Sequence, residues 1–295
     1  MTAPTPPLPP TATATATAAL TPAGTQAPDT GPAAPRPGRR TALLLLLPVA
    51  AVVLFALIGP WLAPHDPARI TAAPYDTGHL LLGSDGDGRD VWSRFLAGGR
   101  PLVLIPLLAT AVTTLLGTAT GVLAGYAGGR VDAVVSRLDT LLLALPPVLV
   151  LLVLMHGWGY RTLTLVTAVA VTGVPFVSRV ARAATAQVVH AGYVDQAVAL
   201  GDGPVAVMAR EIVPNIVRPV LADAGTRLAI AITLTASAGF LGFGPDSPNW
   251  GAMISENMEG VTLAPWGVAA PALGLAVLTV SVNLALDRAI ARFVP

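Results

Sequence analysis

The feature that most constrains this chain is a series of apolar runs, each about as long as a bilayer is thick, with short polar segments between them. They fall at 41–63, 101–126, 134–156, 162–183, 218–242 and 266–286. A helix rises about 1.5 Å per residue, so about 20 apolar residues cross a hydrocarbon layer of about 30 Å. In lipid the backbone amides have no water to bond, and such a run closes its hydrogen bonds within a helix. The pattern predicts an all-α integral membrane protein with six transmembrane helices and both termini on one side. Charged residues make up 11% of the 295 positions. A soluble domain carries about 25%, so much of this surface faces lipid.

Arginine placement orients the chain. Arg36, Arg39, Arg40, Arg130, Arg137, Arg179, Arg182, Arg210, Arg218, Arg227, Arg288 and Arg292 fall on or next to the N-terminal side. Only Arg69, Arg89, Arg94, Arg100 and Arg161 fall on the other. Positive charge is retained in the cytoplasm, which predicts cytoplasmic termini and a multi-pass protein of a bacterial inner membrane.

Three regions are expected. Residues 1–38 are rich in Pro, Thr and Ala without apolar periodicity, and read as a disordered cytoplasmic tail. Residues 39–100 hold the first span and an external loop. Residues 101–295 hold a five-helix core with a cytoplasmic loop at 190–217. Arg39 and Arg40 also suit a twin-arginine export signal. The run after them exceeds an export signal's usual 7–15 apolar residues, and no small-x-small cleavage site follows, so a retained span is expected.

Two absences narrow the chemistry. There is no cysteine, which excludes thiolate catalysis, disulfides and cysteine metal sites. All seventeen basic residues are arginine, which excludes a P-loop or Schiff-base lysine. If ATP drives this protein, another polypeptide binds it. Net charge of +1 implies neither nucleic acid nor an acidic substrate. No cofactor is expected.

Several residues within the runs invite a role. Gly117, Gly121 and Gly125 share one helix face, and Gly129 continues the spacing. Such a stripe lets another helix backbone approach closely, within the chain or on a partner subunit; packing within the chain is the preferred reading. Asp223 and Arg227 lie four apart, so they share a face and can pair. They read either as a pair lining a pathway or as charges close enough to the cytoplasm to snorkel. His65, His79, His156 and His190 have no ligand spacing, and read as solvated. Asp85, Asp87, Arg89 and Asp90 fit a turn and the start of a helix better than a calcium loop. Pro146 and Pro147 are expected to kink the third span. Trp250 and Trp266 flank the last external loop and suit interface anchoring.

The cytoplasmic loop is the most informative segment. From Tyr193 to Asn215 it reads as a short helix, a glycine stop at Gly201 and Gly203, and a new helix from Pro204. Val194, Ala197, Val198 and Gly201 recur at helical spacing, giving one small apolar face. That face could seat in a groove of a partner, or lie against headgroups.

This loop resembles the EAA motif of ABC-importer permeases: Glu-Ala-Ala, three residues, Gly, then about nine residues before a hydrophobic-Pro pair. Asp195-Gln196-Ala197 stands where Glu-Ala-Ala is usual, and Leu200-Gly201 and Ile212-Val213-Pro214-Asn215 follow in register. Three further stretches resemble the dipeptide/oligopeptide/nickel branch of that family. They are Leu82-Gly83-Ser84-Asp85-Gly86-Asp87-Gly88-Arg89-Asp90-Val91-Trp92-Ser93-Arg94, Gly125-Tyr126-Ala127-Gly128-Gly129-Arg130-Val131-Asp132, and Phe240-Leu241-Gly242-Phe243-Gly244 with Pro248-Asn249-Trp250-Gly251. The similarity covers about residues 63–293.

The resemblance implies a type I ABC-importer permease arrangement without catalysis of its own. It implies a second permease, making a heterodimer with the pore between the two. It also implies two cytoplasmic ATP-binding subunits that hold the 190–217 loop, and an extracytoplasmic solute-binding protein. The solute would be a peptide or a related small molecule such as a nickel chelate. The alternative is a secondary transporter driven by an ion gradient, which would place acidic residues at mid-span in inverted repeats. Apart from Asp223 with Arg227, and Asp139, the spans lack candidates. An intramembrane hydrolase lacks its Gly-x-Ser-x-Gly, His-Glu-x-x-His or paired aspartates.

Overall fold

Each apolar run becomes helix, and glycines and prolines decide where the helices end. The structure, a computed structural model, describes residues 39–243 and 248–293, with side chains over 50–243 and 248–285. The expected tail at 1–38 lies outside the described residues. The helices are α1 Arg39–Leu62, α2 Val91–Ala127, α3 Gly129–Leu143, α4 Pro147–Trp158, α5 Thr162–Val188, α6 Gly192–Ala199, α7 Pro204–Val207, α8 Val213–Phe240, α9 Trp250–Asn257 and α10 Trp266–Phe293. A π-helical turn, Met208–Ile212, joins α7 to α8.

Among the described residues, four continuous helical stretches are long and apolar enough to cross a membrane: Val91–Ala127, Thr162–Val188, Pro204–Phe240 and Trp266–Ala285. The third run corrects the expectation of a single kinked span. It is two helices, α3 and α4, meeting at 84°. Pro147 occupies the first turn of α4, where its missing N–H costs nothing. Pro146 before it is driven to extended backbone, φ −60° and ψ 128°, because the ring of Pro147 excludes the helical region there. The pair counts as a fifth span if taken together, and α1 contributes a shorter apolar stretch, Ala50–Leu62.

Close approaches fix the helix directions. On α2, Gly117 faces Val174 and Val177 of α5, Gly121 faces Ser178 and Ala181, and Gly125 faces Arg182 and Thr185. The numbers rise together, so α2 and α5 run parallel. A Cβ at Gly121 would collide with the Ser178 carbonyl oxygen, and one at Gly125 would lie 2.7 Å from the Thr185 Cβ. The glycine stripe is thus spent on packing within the chain, where small residues let two backbones meet in lipid. Gly59 of α1 lies against Leu96 of α2, and Gly99 of α2 against Ala56 of α1, so those two are antiparallel.

The bundle therefore has two poles. One gathers the C-terminal ends of α1 and α8, the N-terminal ends of α2, α5 and α10, and α9. The other gathers the C-terminal ends of α2 and α5, the N-terminal end of α8, and α6. Each pole has its own apolar core. At the α9 pole Ala56, Val91, Leu102, Ile232, Trp250, Met253 and Leu278 pack together. At the α6 pole Val122, Val177, Ala181, Val194, Ala197, Ile212 and Ile216 do so.

Trp250 corrects a second expectation. It is buried rather than anchored at an interface, with 2% of its surface exposed. Its ring fills the space left by Gly98, Gly99 and Gly274, and stacks on Phe95 at 5.2 Å. Its Nε1 donates to the Phe95 carbonyl at 2.7 Å. Trp266 is half exposed.

Candidate functional site

The loop between α5 and α8 builds a compact, closed turn. At the end of α6, Leu200 is the C-cap and Gly201 follows with φ +90°. The amide of Gly201 donates to the Val198 carbonyl at 3.0 Å, and that of Asp202 to the Ala197 carbonyl at 3.1 Å. This paired closure needs a left-handed residue after the cap, which glycine adopts without a Cβ penalty. Pro204 then starts α7.

The π turn follows from Pro214. A proline has no amide to donate to the carbonyl four residues back, and its ring crowds that carbonyl. The chain widens instead, and the Val213 amide reaches the Met208 carbonyl. The Asn215 side chain donates to the Glu211 carbonyl at 2.6 Å, within the same turn.

The structure divides the face expected of α6. Val194 and Ala197 are turned into the chain's own core, at 2% and 7% exposed, against Val177, Ala181, Ile212 and Ile216. Gly201 faces open space. The face left to solvent or a partner carries Tyr193, Asp195, Gln196, Val198 and Leu200. Leu200 is 79% exposed, and Val205 of α7 is similarly bare. Helical spacing marks which residues share a side, but a short helix tied at both ends to spans buries its smallest side chains against them first. Pro214 and Asn215 are exposed at the start of α8.

Asp223 and Arg227 do pair. Arg227 Nη2 lies 3.4 Å from Asp223 Oδ1, and the guanidinium stands 4.3 Å above the Phe176 ring of α5. Both side chains are about 15% exposed, so neither reaches out to water as a snorkelling side chain would. Asp223 Oδ2 and Arg227 Nε are buried without a hydrogen-bond partner.

One polar construction was not foreseen, and a second extends the turn expected at residues 85–90. The first ties α3 to α5: Ser178 donates to Asp139 at 2.8 Å, Arg182 pairs with Asp132 at 2.7 Å, and Arg179 donates to Thr140 at 3.2 Å. Spacing within one helix carries no trace of it, since every partner is about 40–50 residues away. The second caps the α9 pole. Asp85 accepts from the amides of Asp87 and Arg89, at 3.0 and 2.8 Å, and pairs with Arg89 and buried Arg94. Arg94 also binds Glu256 of α9 at 2.8 Å. Asp90 caps α2, accepting from the Trp92 amide at 3.1 Å, and lies 3.0 Å from His65. Gly86 donates to Asn257 at 3.3 Å. These carboxylates are occupied by arginines and amides, in keeping with a turn and helix start. Among the described residues, no group of three or more His, Asp or Glu converges as metal ligands would.

Comparison with known proteins adds a name to this geometry. Residues 117–295 match the family described as binding-protein-dependent transport system inner membrane component. The chain is 31% identical to the di/tripeptide transport system permease protein of Pseudomonas aeruginosa, over 82% of this chain and 84% of that one. It is 31% identical to the dipeptide transport system permease protein of Haemophilus influenzae, over 84% and 88%. It is 30% identical to a probable D,D-dipeptide transport system permease protein of Escherichia coli, over 80% and 81%.

Proposed function

The chain belongs to the family of binding-protein-dependent transport system inner membrane components, and from that premise we propose that it forms one half of the translocation pathway of an ATP-driven importer for short peptides. Its class is established by the family: a multi-pass, non-catalytic membrane subunit of an ABC importer that works with other subunits. Peptide as the solute is carried by the relatives, named for di/tripeptide, dipeptide, D,D-dipeptide and glutathione transport.

In this reading the chain crosses the membrane six times with both termini cytoplasmic, α3 and α4 making one broken crossing. A second permease lies beside it, two ATP-binding subunits lie beneath the α6 pole, and a solute-binding protein delivers peptide at the α9 pole. ATP binding closes the two ATPases, α6 moves with them, and the spans rock between inward- and outward-facing arrangements.

The observation that carries the coupling role is the outer face of α6. Tyr193, Val198 and Leu200 are exposed beside Asp195 at the arginine-rich pole. Leu200 projecting bare from a short closed helix, beside the residues that match the EAA pattern, supports this reading. Gly201→Glu tests it. The φ of +90° disfavours any side chain, and the new carboxylate would project where the partner lies. The variant should insert normally, lose peptide uptake and lose co-purification of the ATPases. Arg69→Glu, in the loop at the other pole, should retain the ATPases. Normal uptake with ATPases attached would refute the assignment. A reporter active only outside the membrane, fused to the C-terminus, should stay silent if the topology is right.

A further inference from the structure

The chain's arginines at the α9 pole divide into two kinds. Arg89 and Arg94 are neutralised by Asp85, Asp87 and Glu256. Arg100 is exposed, and among the described residues no carboxylate lies within ion-pair distance of it. Its guanidinium stands 5.2 Å above the ring of Trp61, at the end of α1. Trp61 is 71% exposed and Trp158, at the end of α4, is 61% exposed. Bare tryptophans at the ends of apolar helices collect at headgroup depth, where the indole has an apolar body and a polar N–H to satisfy.

Arg100 also stands at the mouth of a groove. The groove measures about 400 Å³ and runs between α2 and the start of α5, lined by Arg100, Leu104, Ile105, Leu108, Tyr160 and Thr162. Leu104 and Leu108 are about half exposed one and two turns along α2 from the arginine. A cation at headgroup depth thus opens directly onto an apolar channel that leads toward the bilayer centre. The cation attracts a negative charge, the leucines take a hydrocarbon chain, and the two are spaced as in one amphiphile.

We propose that this groove is a binding site for a phospholipid with an anionic headgroup. The phosphate region pairs with Arg100, whose planar guanidinium suits two phosphate oxygens. One acyl chain lies along Leu104, Ile105 and Leu108. The Trp61 ring holds the guanidinium in place from the other side. The bound lipid would fill the groove between two parallel spans, α2 and α5, and travel with them.

The test uses the full-length chain in complex with the subunits that co-extract with it. The complex is stripped of lipid, returned to nanodiscs of equimolar phosphatidylglycerol and phosphatidylcholine, and extracted again. Phospholipid retained per complex is then counted by mass spectrometry. Wild type should retain phosphatidylglycerol over phosphatidylcholine by about fivefold, the advantage of one arginine near an anionic surface. Arg100→Gln should erase the preference. Arg100→Lys should keep most of it, which separates loss of charge from misfolding. Arg137→Gln, which removes an exposed arginine of α3, should leave it unchanged. Excess glycerophosphate, a headgroup without chains, should not displace the lipid. Equal retention in wild type, a preference that survives Arg100→Gln, an equal loss in Arg137→Gln, or displacement by glycerophosphate would each overturn the site.

Discussion

The two poles of the bundle are built on opposite plans. The α9 pole is closed on itself. Its loop 63–90, the start of α2 and α9 are joined by Asp85, Arg94, Glu256, Asn257 and Asp90, and Ser84, Asp85, Asp90 and Arg94 are nearly inaccessible. The α6 pole closes its short helix with backbone bonds, and leaves Val198, Leu200 and Val205 bare on that turn. The buried charges at the loop 63–90 are matched by one another, which ties that loop to α2 and α9. A short turn that exposes leucine and valine suits the partner proposed for it. Under the proposed coupling role, the first end would serve stability and the second transmission.

The largest expected effect breaks the closed pole. Arg94→Met removes the cation that joins Asp85 to Glu256. Asp85 stays buried with Arg89 and two amides to balance it, so the loss should fall below the ~3–5 kcal/mol of an uncompensated buried charge. Thermal unfolding of the purified complex should fall, and protease should cut within 63–90. ATPase co-purification should survive, because the damage lies at the far end. If Arg94→Met instead releases the ATPases while the loop stays protected, the division between the poles is wrong.

A smaller effect sharpens the open pole. Gly201→Ala adds only a methyl group, and beyond the adjoining residues no atom lies within 4 Å of where it would go. Whatever it costs is therefore backbone strain at φ +90°, about 1–2 kcal/mol. Hydrogen exchange should quicken at the amides of Gly201 and Asp202, which close α6, while the α9 pole keeps its protection. Comparison with Gly201→Glu then separates strain from obstruction. If Ala and Glu reduce uptake equally, the turn's shape matters and the partner contact does not.

The sequence made the helices legible because lipid permits few alternatives. Run length fixed the places of α2, α5, α8 and α10, and glycine and proline fixed the ends of α6 and the start of α7. It also carried the pairing of Asp223 with Arg227, since residues four apart on a helix meet whatever surrounds them. What it withheld was contact between distant segments. The inward turn of Val194 and Ala197, the burial of Trp250 against Gly98 and Gly99, and the bonds of Asp139 and Asp132 to α5 all depend on which helices become neighbours. Local periodicity does not encode that. The 84° break was half legible: Pro146 and Pro147 marked its position, and its size came from packing.

The smallest effect concerns the charges that belong to neither pole. Asp223 and Arg227 lie about 15–20 Å along α8 from its start, on a rise of about 1.5 Å per residue. Side-chain hydrogen bonds within membranes contribute about 0.6 kcal/mol, with the strongest near 1.7. Asp223→Arg and Arg227→Asp should each lower the yield of folded protein, since each leaves two like charges four apart. The double reversal restores opposite charge and should recover part of the loss. Recovery should be incomplete, because an arginine at 223 no longer stands over Phe176. Phe176→Leu divides the two contributions. In the wild-type background it should cost the ring's share, and in the double reversal it should cost almost nothing. If the double reversal is no better than the worse single change, the charges are tolerated for a reason other than their pairing. The 3.4 Å contact would then be a consequence of helical spacing and not what holds them in the bundle.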